Sequence, residues 1–429
     1  MSINVKEYDA IGIGFGPANL AIAIALQEIS SERDFNCCFL ERKPQFEWHG
    51  GMLLDGTRMQ ISFLKDLVTQ RNPLSPFSFV NYLHQHKRLN SFINMSTFQP
   101  TRVEFNDYLT WAAGHFSEQV NYSQNVVSIE PIEQDGEVQK VKVITENSDG
   151  QREERITRSL IIGMGGSPKL PAQFEGKLSR QVIHSSAYKF WRDQAAPAQD
   201  DASIAIIGAG QSAAEIFVDM AARYEPGSVN MINRGYALHP ADDSPFVNEI
   251  FNPEFTDQVY ARTQEQRQAL LQRFSGTNYS VIDVPELNAI YERLYLQNVT
   301  GKGNHNYLAN HEVVDVAQQD EKVSLLLRDK ASQQQSWQQY DAVILATGYQ
   351  YRGYSQLLAP LQSYMAQQEV ERCYRVPMQD NCKVNIFLQG CCEDTHGLSD
   401  TLLSVLAVRS HEVVSCLTQQ FEQEAQIAE

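Results

Sequence analysis

The stretch DAIGIGFGPANL, residues 9–20, decides the fold of this chain. It begins as a short apolar strand, turns at Gly12, Gly14 and Gly16, and continues into an apolar helix. Glycines at this spacing permit a tight turn and a close approach of the backbone to a ligand, and the helix directs its positive N-terminus at the same point. Pro17 replaces the third glycine of G-x-G-x-x-G, and a first helical turn tolerates proline. The stretch therefore predicts a dinucleotide site.

A second copy of this unit lies about 200 residues further on, at SIAIIGAGQSAAEIF, residues 203–217. Gly208 and Gly210 form the turn, and Ala213 still allows a helix to pack closely on a strand. Two such units predict two dinucleotides, the pattern of flavoproteins that take hydride from a nicotinamide. Arg234 ends the next predicted strand, where a 2′-phosphate would bind, and this favours NADPH over NADH. The alternative for Arg234 is an ordinary surface arginine.

Residues between the two units supply further candidates. Glu41 ends the second predicted strand, 25 residues after Gly16, where an acidic side chain is expected to hold a ribose hydroxyl. Residues 44–70 form a glycine-containing loop with more large side chains than a surface loop carries, and we expect it to line the flavin pocket. Lys65 lies there in an apolar setting, SFLKDL; a surface lysine or a pair with Asp66 is the alternative.

Composition excludes several functional classes. The chain has 35 basic and 52 acidic residues, a net charge of −17, which argues against nucleic acid as a partner. Its seven cysteines form no C-x-x-C pair and no metal-ligand spacing, so we expect no metal and reduced thiols in a cytoplasmic protein. We expect no signal peptide, and no apolar run reaches the roughly 18 residues that span a bilayer.

The order of predicted elements indicates an α/β protein: two Rossmann-like dinucleotide-binding domains, for FAD and NADPH, with a small inserted helical substrate subdomain. Polar, tyrosine-rich helices over residues 241–300 form the insert. The C-terminal segment from residue 396 is predicted to be a helix whose first amides face the flavin. The predicted ranges are 1–168 and 338–429 for the FAD domain, 169–240 and 311–337 for the NADPH domain, and 241–310 for the insert.

Eight segments together resemble the bacterial and fungal N-hydroxylating flavin monooxygenases of siderophore biosynthesis, most closely the L-ornithine N5-monooxygenases. They run from residue 10 to about residue 409, so nearly the whole chain is covered. The segments are IGIGFGPANLA, MQISFLKDLVTQRNPLSPFSFVNYLHQHKRL, EFNDYLTW, IIGAGQSAAE, ADDSPFVNEIFNPEFT, TNYSVID, ILATGY and HGLSDTLLSVL. Members of that family carry GFGP, so Pro17 agrees with the resemblance.

The resemblance implies three groups of site residues. FAD would be bound by Gly12, Gly14, Gly16, Pro17, Glu41, Trp48, His49, Met59, Gln60, Val126, Thr401, Leu402 and Leu403. NADP would be bound by Gly208, Ala209, Gly210, Gln211, Ser212, Arg234, Asn278, Tyr279 and Ser280. The amino acid would be bound by Lys65, Asn248, Glu249, Ile250, Phe251 and Ser404.

The implied reaction is the FAD- and NADPH-dependent N-hydroxylation of a primary amine by O₂, through a C4a-hydroperoxyflavin, with L-ornithine as the expected substrate. No protein nucleophile is required. The alternatives are another amine (lysine, putrescine or histamine), a flavin disulfide reductase, for which no suitably spaced cysteine pair is present, and a non-catalytic dinucleotide-binding protein. The sequence leaves the oligomeric state open, a homo-oligomer included.

Overall fold

The computed structural model describes residues 5–29, 35–319 and 321–428, with side chains described as far as residue 422. Helices and strands alternate along most of the chain. The α-helices are Pro17–Ile29, Phe79–Gln85, Leu89–Asn94, Arg102–Gly114, Tyr188–Gln194, Gln211–Arg223, Pro245–Asn248, Pro253–Tyr260, Gln264–Phe274, Val284–Thr300, Tyr354–Leu357, Glu393–His396 and Leu406–Ala428.

The first parallel sheet is built around the strand of the first glycine motif. Three of its strands, Asn385–Leu388, Ser159–Ile162 and Ala10–Ile13, are buried along their whole length, as expected for a parallel sheet covered by helices. Helix Pro17–Ile29 packs against helix Leu406–Ala428, so the chain's last helix lies beside its first. The strand order is Asn385–Leu388, Ser159–Ile162, Ala10–Ile13, Cys37–Leu40 and Val120–Asn121.

The second parallel sheet repeats this arrangement around the second glycine motif. Helix Gln211–Arg223 covers it with a fully buried face that includes Ala213 and Phe217. The strand order is Val182–His184, Ala342–Leu345, Ser203–Ile207, Ser228–Ile232 and Asn306–Leu308. Both glycine turns therefore lie at the carboxyl ends of central strands, where open α/β sheets bind their ligands.

Smaller sheets complete the fold. One contains Lys6–Tyr8, Arg152–Thr157, Glu137–Glu146 and Asn125–Gln134, and an antiparallel sheet contains His311–Gln319, Lys322–Asp329 and Gln335–Tyr340. Two-stranded pairs join His239–Pro240 to Val281–Ile282, and Ser167–Pro168 to Tyr349–Gln350. The first of these pairs anchors the predicted helical insert at both ends of residues 241–280.

Two strands of the second sheet fall in ranges that the sequence analysis assigned to other parts of the chain. Strand Ala342–Leu345 pairs within the second sheet, although the predicted division at residue 338 assigned it to the FAD domain. Strand Asn306–Leu308 also belongs to the second sheet and not to the insert. Both strands are short and apolar, and sequence does not show which sheet a buried strand joins.

The C-terminal helix begins at Leu406, ten residues later than predicted. Residues 398–405 instead form short 3₁₀ turns separated by Leu402, whose backbone is extended. The buried Asp400 side chain accepts hydrogen bonds from the Cys392 N–H and the Arg409 guanidinium, and these contacts hold the turns in place of a helix. Within the described residues, no helix is both long and apolar enough to cross a membrane.

Candidate active site

The first glycine turn has the shape of a ligand cradle. Gly14 has a φ of +81°, and a Cβ on it would lie 2.6 Å from the carbonyl oxygen of Gly163. A Cβ on Gly12 would lie 2.3 Å from the ring of Phe39. In contrast, a Cβ on Gly16 would meet no atom within 4 Å. The first two glycines are therefore required by packing, and the third leaves open space before the N-terminus of helix Pro17–Ile29.

Glu41 lies beside this turn. Its carboxylate accepts hydrogen bonds from the backbone N–H of Phe15 at 2.7 Å and of Lys43 at 2.9 Å. Two carboxylate oxygens offer about four acceptor sites, so the side chain retains capacity for a ligand hydroxyl.

Asn19 is a structural residue of the cradle that the sequence analysis missed. It is fully buried, and its Nδ2 donates to the carbonyl oxygens of Ile13, Gly14 and Ile161 at 3.2, 2.7 and 3.3 Å. Its Oδ1 accepts from Gln389 Nε2 at 2.8 Å. One side chain thus joins the carboxyl ends of three adjacent strands. Its only signal in the sequence is a polar residue in an apolar helix.

Replacing Asn19 with alanine is expected to lower the free energy of unfolding by about 2 kcal/mol, because buried carbonyls lose their donor. Asn19→Asp is expected to be worse, since a carboxylate would face those same oxygens. Denaturant unfolding measures both variants, with Asn94→Ala at an exposed helix end as the control. Equal stability of all three variants would contradict the assigned role.

The loop over residues 44–70 brings His49 against two aromatic rings. His49 adopts a left-handed conformation with a φ of 51°, and its ring packs 4.8 Å from Trp48 and 6.1 Å from Tyr349. Burial, together with the positive charges of Arg102 and Lys43, lowers the pKa of His49 to about 4. The residue nevertheless keeps solvent-accessible surface. Met59, in contrast, is buried.

Lys65 is half-buried, and burial lowers its pKa. The alternative that it pairs with Asp66 does not hold, because the buried Asp66 carboxylate accepts from the backbone N–H groups of Val68, Thr69 and Phe79 and from the Thr69 hydroxyl. Among the described residues, no carboxylate lies within ion-pair distance of the Lys65 ammonium. A half-buried cation without a counter-ion is suited to bind an anionic ligand.

The second glycine turn meets the helical insert. A Cβ on Gly208 would lie 2.3 Å from the Ala346 carbonyl oxygen, so this position requires glycine. A Cβ on Gly210 would lie 3.5 Å from the Cα of Ser280, which brings the predicted segments 208–212 and 278–280 together. Arg234 lies in the turn after strand Ser228–Ile232 and is exposed. No carboxylate in the described part of the chain lies within ion-pair distance of its guanidinium.

A continuous hydrogen-bond network connects the loop over residues 44–70 to the second glycine turn. Gln60 donates to the Asp283 carboxylate at 2.8 Å, and the Asp283 N–H donates to Gln211 Oε1 at 2.8 Å. Gln211 then donates to Glu215 at 2.9 Å. Arg102 binds both oxygens of Glu215 at 2.7 Å, and both charged groups are largely buried. Gln60 and Gln211, predicted to bind different cofactors, are therefore fixed relative to each other.

The turns over residues 398–405 face the insert. Leu398 packs against Ile250 and Phe251 of the predicted substrate segment, with Leu402 beside them. Tyr279 OH lies 3.4 Å from Thr401 Oγ1, so the predicted NADP and FAD segments touch. Ser404 is buried, and its hydroxyl has no hydrogen-bond partner among the described residues. An unpartnered buried hydroxyl in such a place fits a ligand group.

Three predicted site residues have less structural support for a binding role. Asn248 and Glu249 are exposed, and Asn248 Nδ2 donates to the Asp243 carbonyl at 2.8 Å instead of to another predicted site residue. Val126 is half-buried beside an irregularity in its strand, between Val126 and Ser128.

The chain is similar to known proteins over most of its length. The family model for L-lysine 6-monooxygenase/L-ornithine 5-monooxygenase matches residues 6–351. An L-ornithine N(5)-monooxygenase of Burkholderia cepacia is 47% identical over 398 residues, 91% of this chain and 90% of that protein.

Two solved structures are similar over almost the full length. The ornithine hydroxylase PvdA from Pseudomonas aeruginosa has a TM-score of 0.92 and 46% identity, covering 97% of this chain and 100% of that one. The ornithine N-hydroxylase KtzI from Kutzneria sp. 744, with reduced FAD, NADP⁺ and L-ornithine, has a TM-score of 0.89 and 36% identity, covering 96% and 99%.

Proposed function

The chain belongs to the L-lysine 6-monooxygenase/L-ornithine 5-monooxygenase family, and we propose that it hydroxylates the side-chain nitrogen of L-ornithine in siderophore biosynthesis. It is an FAD- and NADPH-dependent monooxygenase that consumes O₂. The observation that carries the choice of an amino acid as substrate is the half-buried Lys65, which has no acidic partner among the described residues.

The first cradle fits FAD. The open space at Gly16 before a helix N-terminus suits a pyrophosphate, and the free acceptor sites of Glu41 suit a ribose. We propose that Trp48, His49, Met59, Gln60 and the Val126 backbone line the rest of the pocket and that residues 401–403 cover the flavin ring. Bound FAD supplies the oxygen-activating chemistry, and the protein supplies orientation and a site shielded from water.

The second cradle fits NADPH. Gly208 and Gly210 allow a close approach to the start of helix Gln211–Arg223, and the exposed Arg234 guanidinium is free to bind a 2′-phosphate. We propose that residues 208–212, Arg234 and the insert residues 278–280 hold NADPH. The contact between Tyr279 and Thr401 would place its nicotinamide end toward the flavin segment.

The amino acid would be bound by its carboxylate and enclosed along its side chain. Lys65 would bind the α-carboxylate, the Ser404 hydroxyl would accept or donate one further hydrogen bond, and residues 248–251 would close the pocket. The side-chain amine must be neutral to react, and its ordinary pKa is near 10.4, so partial desolvation by the apolar residues around Ile250 and Phe251 would favour loss of its proton. Fixing the carboxylate sets the distance of the amine from the flavin.

The main alternative is the same reaction on lysine, which also carries a carboxylate. Putrescine and histamine have none for Lys65 to bind. A disulfide reductase would need a redox-active cysteine pair beside the flavin. A non-catalytic protein would have no need of the half-buried Lys65 ammonium, which has no acidic partner among the described residues. We also propose a cytoplasmic location. A homo-oligomeric state stays a prediction, as do the domain limits apart from the two strands, Asn306–Leu308 and Ala342–Leu345, that pair within the second sheet.

A substrate panel tests the proposal. The purified flavoprotein is expected to produce hydroxylamine with L-ornithine far faster than with lysine, putrescine or histamine, in proportion to NADPH consumed. Hydroxylamine is measured colorimetrically, beside NADPH oxidation. A preference for putrescine or histamine would reject the carboxylate anchor, and NADPH oxidation without hydroxylamine from any amine would reject the proposed reaction.

A further inference from the structure

Two half-buried cysteines that the proposed function does not use lie face to face. Cys373 lies in a turn formed by residues 371–374, and Cys416 lies on helix Leu406–Ala428. Their sulfur atoms are 2.7 Å apart, although the residues are 43 positions apart in the chain. A disulfide bond measures about 2.05 Å, so a small shift would suffice to form one. All seven cysteines, each within the described residues, are free thiols in this structure.

Neighbouring ion pairs hold the two thiols opposite each other. Arg372 binds both carboxylate oxygens of Glu412 at 2.9 Å. Glu412 lies one helical turn before Cys416, and Arg372 immediately precedes Cys373, so the ion pair and the thiol pair join the same turn to the same helix face. The approach of the two sulfur atoms is therefore part of a built contact between two elements.

The surroundings distinguish the two thiols chemically. Arg375 lies beside both, with its guanidinium bound to Glu371 at 2.9 and 3.0 Å. The hydrogen bond from Cys416 lowers the pKa of Cys373; Arg375 acts in the same direction, against the opposing effects of burial and of the Glu371 carboxylate. The pKa of Cys416 is raised because it donates that hydrogen bond. The lowered pKa favours Cys373 as the attacking sulfur, since the thiolate is the reactive form.

We propose that Cys373 and Cys416 are a redox modification site that closes to a disulfide with hydrogen peroxide as the oxidant. The Cys373 thiolate attacks one peroxide oxygen, the O–O bond breaks, and the released hydroxide takes up a proton to give water. The Cys416 sulfur, losing its proton, then attacks the sulfenic sulfur; the S–S bond forms and a second water leaves. Two thiols are oxidised and one peroxide is reduced to two waters.

The disulfide would act on the segments around the candidate active site. Arg372 also binds Asp257 of the insert at 2.7 Å. The Tyr374 ring stacks on His396 at 4.1 Å, just before the turns over residues 398–405. Closing the bond would fix this turn to the C-terminal helix and restrict the unfolded chain, so the oxidised protein is expected to unfold at a higher temperature.

Peptide mapping of the whole flavoprotein tests the proposal. After treatment with hydrogen peroxide and blocking of the remaining thiols, the thiol count under denaturing conditions is expected to fall from seven to five. Trypsin is expected to release residues 373–375 joined to the peptide that begins at Ser410, with a mass two hydrogens below the sum of the two peptides. Dithiothreitol should restore both peptides and the lower melting temperature.

Cys373→Ser and Cys416→Ser should each abolish the cross-linked peptide, whereas Cys382→Ser, a buried cysteine elsewhere, should leave it intact. Circular dichroism checks that the variants fold. If they do not, the peptide map of the wild-type protein still shows whether the Cys373–Cys416 cross-link forms. Seven titratable thiols after peroxide, oxygen added to Cys373 without cross-linking, or a cross-link that involves Cys391 or Cys392 instead would each overturn the proposal.

Discussion

Replacing Lys65 with alanine is expected to raise the KM for L-ornithine by about 100-fold, with NADPH oxidation in the absence of amine unchanged. A charge-assisted hydrogen bond to a carboxylate contributes about 1.5–3 kcal/mol, and each 1.36 kcal/mol is a factor of ten in binding. The ammonium has no acidic partner among the described residues, so its loss leaves no buried counter-charge behind. Steady-state kinetics with ornithine, by hydroxylamine formation, measure the effect.

Two variants sharpen this test. Lys65→Arg keeps the charge and should recover most of the affinity, and Lys140→Ala, which removes a surface cation paired with Glu7, should change nothing. Burial lowers the pKa of Lys65, so the ammonium loses its charge at a lower pH than an exposed lysine does. The wild-type KM for ornithine should therefore begin to rise at that lower pH. Lys65→Arg stays charged and should not show this rise. An unchanged KM in Lys65→Ala would remove the carboxylate anchor from the account.

Replacing Arg234 with alanine is expected to raise the KM for NADPH by about 100-fold while the KM for NADH changes less than threefold. The guanidinium is exposed and follows the strand that ends beside the second glycine turn, so it is available to a 2′-phosphate that only NADPH carries. The measurement is the rate of flavin reduction against the concentration of each nucleotide.

The matched control for Arg234 is Arg152→Ala, an exposed arginine on strand Arg152–Thr157. It should leave both nucleotides unaffected. Fluorescence titration with 2′-phosphorylated and unphosphorylated adenosine fragments separates binding from catalysis. Equal losses with NADPH and NADH would show that Arg234 supports the fold of the turn and not recognition of the phosphate.

The parts of the fold that were predictable are those with local physical causes. The turns at Gly14 and Gly208 need glycine because a carbonyl lies within 2.6 Å and 2.3 Å of the position of a Cβ. Such sites leave a spacing pattern in the sequence. The helical character of most of residues 241–300 was also predictable, because polar and tyrosine-rich helical segments are recognisable within the sequence itself.

Contacts between distant segments were not predictable, because no local pattern encodes them. Asn19 joins three strands, Arg102 binds Glu215 across 113 positions, and Cys373 meets Cys416 across 43. Likewise, strand Ala342–Leu345 and the late start of helix Leu406–Ala428 depend on which partners are present after folding. Such contacts set the relative positions of the segments that form the candidate site.

The most direct test of the central claim is a turnover in ¹⁸O₂ with L-ornithine and NADPH, followed by mass spectrometry of the product. We predict a product that contains one labelled oxygen atom, bound to the side-chain nitrogen, with the α-amino group and carboxylate unchanged. An unlabelled product, or label on the α-nitrogen, would contradict an oxygenase that holds the amino acid by its carboxylate and presents its side-chain amine to the flavin.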